Sequence, residues 1–152
     1  MKIVIELPGT PHGKERPRFG RGGVYTSAKT AAYERALGLQ AMVDMRKVGF
    51  SHRLTGPINM AVTAFMPIPE SWNRSNRMNA LSGAIRPQGR PDWDNLGKIA
   101  SDSLNGIAYV DDSQIVTATV SKLYAATPLL RVEISPVDTI PDASLEKEEP
   151  VG

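Results

Sequence analysis

The sequence predicts an α+β domain: a mixed β-sheet with two main helices, in the order β-α-β-loop-α-β-β. Three observations lead there. Residues 2–7 and 57–66 alternate apolar and polar positions, with the β-branched residues that favour strands. Residues 28–47 and the stretch from Asp92 to Leu104 carry apolar residues at three- and four-residue spacing, the period of a helix with one buried face. Finally, strands precede, separate and follow the helices, an order that suits helices lying on one face of a single sheet.

The elements follow in turn. Pro8-Gly9-Thr10-Pro11 stops the first strand. The loop His12-Gly13-Lys14-Glu15-Arg16-Pro17-Arg18-Phe19-Gly20-Arg21-Gly22-Gly23 comes next, dense in glycine and basic residues. Thr26 or Ser27 caps the first helix, whose apolar stripe reads Ala32, Ala36, Leu39 (with Leu37) and Val43, with Met42 beside it, and Gly49 follows its end. The second strand covers 57–66. Pro67, Pro69, Pro87 and Pro91 forbid one continuous element over 67–91, although residues 70–81 suit a short helix carrying Arg74 and Arg77. The next helix buries Leu96, Ile99, Ala100, Ser103, Leu104 and Ile107 and stops at Asn105-Gly106. Residues 114–124 and 129–134 read as an antiparallel pair of strands across a turn at Thr127-Pro128. The domain spans 1–135, and 136–152 reads as an acidic, disordered tail.

Composition narrows the chemistry. The chain has no cysteine, which excludes disulfides, thiolate metal sites and a thiol nucleophile. Its two histidines supply at most a fragment of a zinc site, so any metal should be a hard cation held by oxygens. No apolar run is long enough to span a bilayer, and Met1-Lys2-Ile3-Val4-Ile5-Glu6 is not a signal peptide, so a cytoplasmic protein is expected. The net charge of +2 hides an asymmetry: residues 1–137 hold 17 Lys and Arg against 11 Asp and Glu, while 138–152 hold one Lys against five acids. A basic body favours an anionic partner such as nucleic acid.

The chemistry concentrates in Arg90-Pro91-Asp92-Trp93-Asp94-Asn95-Leu96-Gly97-Lys98, answered by Tyr109-Val110-Asp111-Asp112-Ser113. A return loop after the Asn105-Gly106 stop can bring Asp111 and Asp112 back towards Asp92 and Asp94. Converging carboxylates repel, so they need a cation among them or must splay into water. A plainer account exists: Asp92 as a helix cap and Asp94–Lys98 as an exposed ion pair on the polar face with Ser101, Asp102 and Asn105. Against it stands the chemistry of phosphodiester hydrolysis, which needs a divalent ion and a nearby cation. Carboxylates holding Mg2+, together with Lys98, meet that need. Lys14, Arg16, Arg18, Arg74, Arg77 and Arg90 are candidates for phosphate contacts that position DNA without reading bases.

These residues also resemble a family, the RusA-like Holliday junction resolvases. The resemblance covers most of residues 1–135. It is carried by Gly13-Lys14-Glu15-Arg16-Pro17-Arg18 with Tyr25-Thr26, by Met66-Pro67-Ile68-Pro69 with Ser71-Trp72, and by Pro91-Asp92-Trp93-Asp94-Asn95-Leu96 with Lys98. Leu104-Asn105-Gly106-Ile107-Ala108 and Asp111-Asp112-Ser113-Gln114-Ile115-Val116 complete it. The resemblance implies an intertwined homodimer that binds four-way DNA junctions and uses magnesium to nick two strands symmetrically, in recombination and repair. It places metal-binding acids at Asp92, Asp94 and Asp112 and a catalytic lysine at Lys98, with Asp111 supporting. The chain departs from the pattern at Trp93, where an aliphatic residue is usual, and at Gly97. Two other readings are a junction- or duplex-binding protein that cuts nothing, and a magnesium-dependent nucleotide phosphohydrolase.

Overall fold

The computed structural model describes residues 1–137. In chain order the elements are β1 (Ile3–Pro8), β2 (Arg18–Gly20), β3 (Gly23–Tyr25), α1 (Ala28–Lys47), β4 (Ile58–Pro67), α2 (Arg74–Ser82), α3 (Trp93–Leu104), β5 (Ile115–Ala125) and β6 (Leu129–Pro136). A single 3-10 turn over Asp112–Gln114 introduces β5. The α+β class is as expected, with three helices and, besides the main sheet, a small hairpin of β2 and β3 within the basic loop. Arg21 and Gly22 make its two-residue turn. Among the described residues no helix is long and apolar enough to cross a membrane.

The main sheet has the order β1-β6-β4-β5, with β4 and β5 parallel and the other pairs antiparallel. This corrects the expected hairpin: β5 and β6 lie on opposite sides of β4, and residues 126–128 cross the end of β4 to connect them. The crossing spans two strand spacings, about 10 Å, which so short a connection covers. Side-chain patterning decides the arrangement. Ile58, Met60, Val62, Ala64 and Met66 bury every second position of β4, which suits a central strand, whereas Thr117, Ala118 and Thr119 of β5 are exposed, which suits an edge.

Register aligns apolar rows across three strands: Ile3–Ile134–Met60, Ile5–Val132–Val62 and Leu7–Leu130–Ala64. These rows form one core with Leu37, Ala41 and Met45 of α1 and Leu96, Ala100 and Leu104 of α3. α1 packs against β1 and α3, and α3 against β4 and β5. On the opposite face Arg131 Nε donates to Glu6 Oε2 at 2.9 Å, with its guanidinium 4.9 Å from the Phe65 ring centre.

Ser27 caps α1, its side chain accepting from the Thr30 backbone N–H. The buried face of this helix is not the stripe expected from spacing. Thr30, Leu37, Gly38, Ala41 and Met45 face inward, while Ala32, Ala36, Leu39, Met42 and Val43 are exposed. Both faces of α1 are apolar, and close approach to α3 selects between them. A Cβ at Gly38 would lie 3.0 Å from Ile107 Cδ1 and 3.4 Å from the Ser103 carbonyl oxygen, so the glycine permits this close approach on the inward face. At the other end of the chain, Pro136 pairs with Ile58 and Val137 N–H donates to the Pro57 carbonyl. The sheet thus runs past the expected boundary at 135, and the rest of the proposed tail lies outside the described residues.

Candidate active site

The site is built on the first turn of α3. Asp92 holds the N-cap position with extended backbone, yet its side chain makes no capping hydrogen bond. The plain account of Asp92 as a helix cap therefore fails, and its carboxylate is left to face solvent. Asp94 is exposed as well, with Oδ1 accepting from the Asn95 N–H at 3.0 Å. Both acids favour the positive end of the α3 dipole. Together they line a cavity of about 930 Å³ whose wall also holds His12, Lys14, Arg16 and Arg90.

Residues 10–16 are docked tightly onto this turn. Lys14 N–H donates to the Asn95 carbonyl at 2.9 Å. At Gly13 a Cβ would stand only 2.8 Å from Pro91 Cβ and 3.0 Å from Asn95 Cβ, so glycine is what lets the loop approach. The Lys14 ammonium reaches Glu34 on α1 at 2.7 Å and Asp102 on α3 at 3.3 Å. Burial alone would lower its pKa, but hydrogen bonds and charge from Glu34, then Asp102, outweigh that and hold it above the ordinary value. His12 contacts Thr30 Oγ1 at 3.0 Å and Glu15 Oε1 at 3.3 Å. Burial pushes its pKa down, with the Glu15 charge opposing and Lys29 adding to the fall, so the neutral ring is favoured.

Lys98 projects from the next turn of α3. Its ammonium lies 3.4 Å from Asp102 Oδ1, so the expected Asp94–Lys98 pair gives way to a pair with Asp102. Beside it Trp93, Asp94, Gly97 and Lys98 border a second, largely apolar cavity of about 440 Å³, backed by Met60, Val62 and Val120. The two departures from the family pattern, Trp93 and Gly97, thus share one wall. Trp93 is 68% exposed.

The second acidic pair divides its labour. Asp111 caps the 3-10 turn: its Oδ2 accepts from Ser113 N–H at 3.1 Å, and these bonds draw its pKa down. Gln114 completes the cap, accepting from Val110 and Asp111 N–H and donating to the Leu54 and Gly56 carbonyls. Asp112 is half-buried, and its charge acts on the Tyr109 hydroxyl, which donates to the Ser101 carbonyl at 2.6 Å. Tyr109, two residues before the acidic pair, is thereby tied to a later turn of α3, whereas Asp92 and Asp94 sit at its start. Asp94 and Ser101 are about 10 Å apart along the axis at 1.5 Å per residue. Among the described residues no three His, Cys, Asp or Glu side chains are grouped closely enough to hold a metal ion.

The remaining basic candidates are spread out. Arg16 and Arg90 rim the larger cavity, Arg18 lies on β2, and α2 carries Arg74 and Arg77 on the side of β5. Arg77 Nη2 donates to the Glu70 carbonyl at 3.4 Å. From the sequence alone Asp102 reads only as a polar-face residue, and Glu34 and Gln114 carry no role. The four-residue step from Lys98 to Asp102 was the available signal, whereas the links to Lys14, Glu34, Leu54 and Gly56 are tertiary and have no local signature.

In donor chemistry, though not in the grouping of the three acids, this set suits a hard cation. The acids offer only oxygens, two of the three are exposed, and the Asp92 carboxylate is uncommitted to its own helix. The family described as Endodeoxyribonuclease RusA matches the chain over residues 8–135. The chain is also 34% identical over 145 residues to the uncharacterized protein YqaN of Bacillus subtilis (strain 168), covering 89% of this chain and 96% of that one.

Proposed function

The chain belongs to the RusA endodeoxyribonuclease family, and from that premise we propose that it is a magnesium-dependent endonuclease that resolves four-way DNA junctions by paired, symmetric nicks. The observation that carries this reading is the Asp92 carboxylate. It stands at a helix N-terminus without capping it, in one cavity with Asp94, Arg16 and Arg90.

Asp92, Asp94 and Asp112 are the residues that would hold the Mg2+ ion. When bound, the ion neutralises phosphoryl oxygens and lowers the pKa of a water molecule. The protein's own groups do the rest. Arg16 and Arg90 offer guanidinium forks to phosphate oxygens and seat the strand along the cavity. Lys98, an exposed ammonium one turn from Asp94, meets negative charge as it develops at the phosphate. Lys14 is already engaged by Glu34 and Asp102. We assign it first to holding the loop, with its contribution to DNA binding made through the local field. Arg74 and Arg77 on α2 extend the basic surface for contacts to more distant phosphates, and Arg18 stays a candidate by its place on β2. Asp111 supports Asp112 by fixing the turn that carries it.

A homodimer completes the proposal. A four-way junction has approximate two-fold symmetry, so two equivalent sites match two equivalent strands. The exposed stripe Ala32, Ala36, Leu39 and Val43 on α1 supports it, because a 4-3-4 spacing is that of a helix-helix seam and such a patch calls for a partner. The second reading, a DNA-binding protein that cuts nothing, is favoured by one observation: the three acids are not grouped together. A labelled four-way junction separates the two. Cleavage into symmetric duplex products in magnesium, stopped by chelator, supports the nuclease. Tight binding with no cleavage supports the binding protein, and phosphate release from free nucleotides with intact junctions supports a nucleotide hydrolase.

A further inference from the structure

We infer that Asp102 is a positioning residue that keeps Lys98 off Asp94, leaving that carboxylate free for the cation; this rests on the reading of Asp94 as a metal-binding acid. Lys98 has two acids within one helical turn, Asp94 before it and Asp102 after it. Intrinsic helix energetics favour the first, because an acid four residues N-terminal to a lysine is the better order. An acid in the last turn also opposes the helix dipole. Yet Lys98 pairs with Asp102, at 3.4 Å, and the Asp94 bond is to the Asn95 N–H.

Tertiary structure supplies the reason. Asp102 uses both carboxylate oxygens, Oδ2 towards Lys14 and Oδ1 towards Lys98. Lys14 is itself held by Glu34 at 2.7 Å and by its backbone bond to Asn95. Asp102 is thus a fixed acceptor with its side chain only 22% exposed, whereas Asp94 is exposed to water and bonded to the N–H of the next residue. A pre-oriented acceptor costs the flexible lysine less ordering entropy than a mobile one. Were Asp102 absent, Lys98 would turn to Asp94 and compete with any cation there. The arrangement also stores the ammonium one turn from the acids, able to swing to a phosphate when DNA arrives.

The test is calorimetric titration of Mg2+ into the DNA-free full-length protein, comparing wild type, Asp102→Asn, Lys98→Ala and the double variant. Asp102→Asn should weaken cation binding about two- to fivefold, the range of an exposed ion pair. In the Lys98→Ala background the same substitution should change nothing, since no ammonium remains to compete. Asp102→Glu should recover most of the wild-type affinity, and thermal melts establish that each variant is folded. Unchanged affinity in folded Asp102→Asn overturns the inference, as does an equal loss with and without Lys98, which would reduce Asp102 to a remote negative charge. Failure of the wild-type protein to bind Mg2+, or an Asp94→Asn protein that binds as wild type does, instead removes Asp94 from the site and the premise with it.

Discussion

The Tyr109 hydroxyl donates to the Ser101 carbonyl at 2.6 Å, fastening the acidic turn to α3. Burial pushes the Tyr109 pKa up, and the charges of Asp112, Asp102 and Asp111 push it further. Burial likewise pushes Tyr33 up to about 12, against a smaller pull from the His12 backbone. Both folded pKa values lie above the unfolded one, near 10. The stabilisation is therefore complete below about pH 10 and is lost as pH rises through the folded values. Lys14, also raised, acts in the same direction. Urea unfolding should show stability falling steeply above about pH 10, with phenolate absorbance delayed relative to free tyrosine. Tyr33→Phe should remove on the order of 2 kcal/mol of that alkaline loss.

The two glycines of the site should respond in opposite ways. At Gly13 an added Cβ meets the rigid Pro91 ring at 2.8 Å. Gly13→Ala should cost about 1–3 kcal/mol and loosen the loop that carries Lys14 and Arg16. At Gly97 the added Cβ meets Val120 Cγ2 at 3.5 Å, an ordinary contact, within a helix. Gly97→Ala should stabilise by up to about 1 kcal/mol. Thermal denaturation of the two variants checks both signs.

Asp111 and Asp112 are adjacent but separable. Asp111→Ala removes the cap of the 3-10 turn and should cost about 1 kcal/mol, with cleavage reduced only modestly. Asp112→Asn should leave stability within about 0.5 kcal/mol and abolish cleavage. Denaturant unfolding and junction cleavage, measured on the same two proteins, give the contrast.

The α1 stripe predicts the oligomer. Leu39 is 62% exposed and central in that stripe. Leu39→Glu should convert a dimer into a monomer in sedimentation, while leaving the fold intact by circular dichroism. If the variant sediments as the wild type does, the partner binds elsewhere.

Local sequence carried most of the secondary structure. The α1 limits follow from Ser27 and Gly49, and the inward face of α3 from Leu96, Ile99, Ala100, Ser103 and Leu104. Strand order was not legible, because a three-residue connection ordinarily means a hairpin and here passes over the end of β4. The buried face of α1 was not legible either, since Ala32, Ala36, Leu39 and Val43 are as regularly spaced as the residues that do face inward. The close approach to Ser103 and Ile107 at Gly38, a tertiary contact, marks the inward face. In the candidate site, the placement of Asp92, Asp94 and Lys98 on the start of one helix was readable because they lie within two turns of it. The partnership of Lys98 with Asp102 depends on Lys14 and Glu34, distant in sequence, and no local pattern contains it.

The most direct measurement is cleavage of a labelled four-way junction by Asp92→Asn in magnesium, alongside its affinity for the same junction. Asp92 makes no structural bond at its cap, so the variant should fold as the wild type does. It should bind the junction at least as tightly, since a negative charge facing phosphate has been removed, and lose cleavage by at least about a hundredfold, as expected on losing electrostatic stabilisation of the reacting phosphate. Cleavage at the wild-type rate would contradict the assignment of these acids to the chemistry.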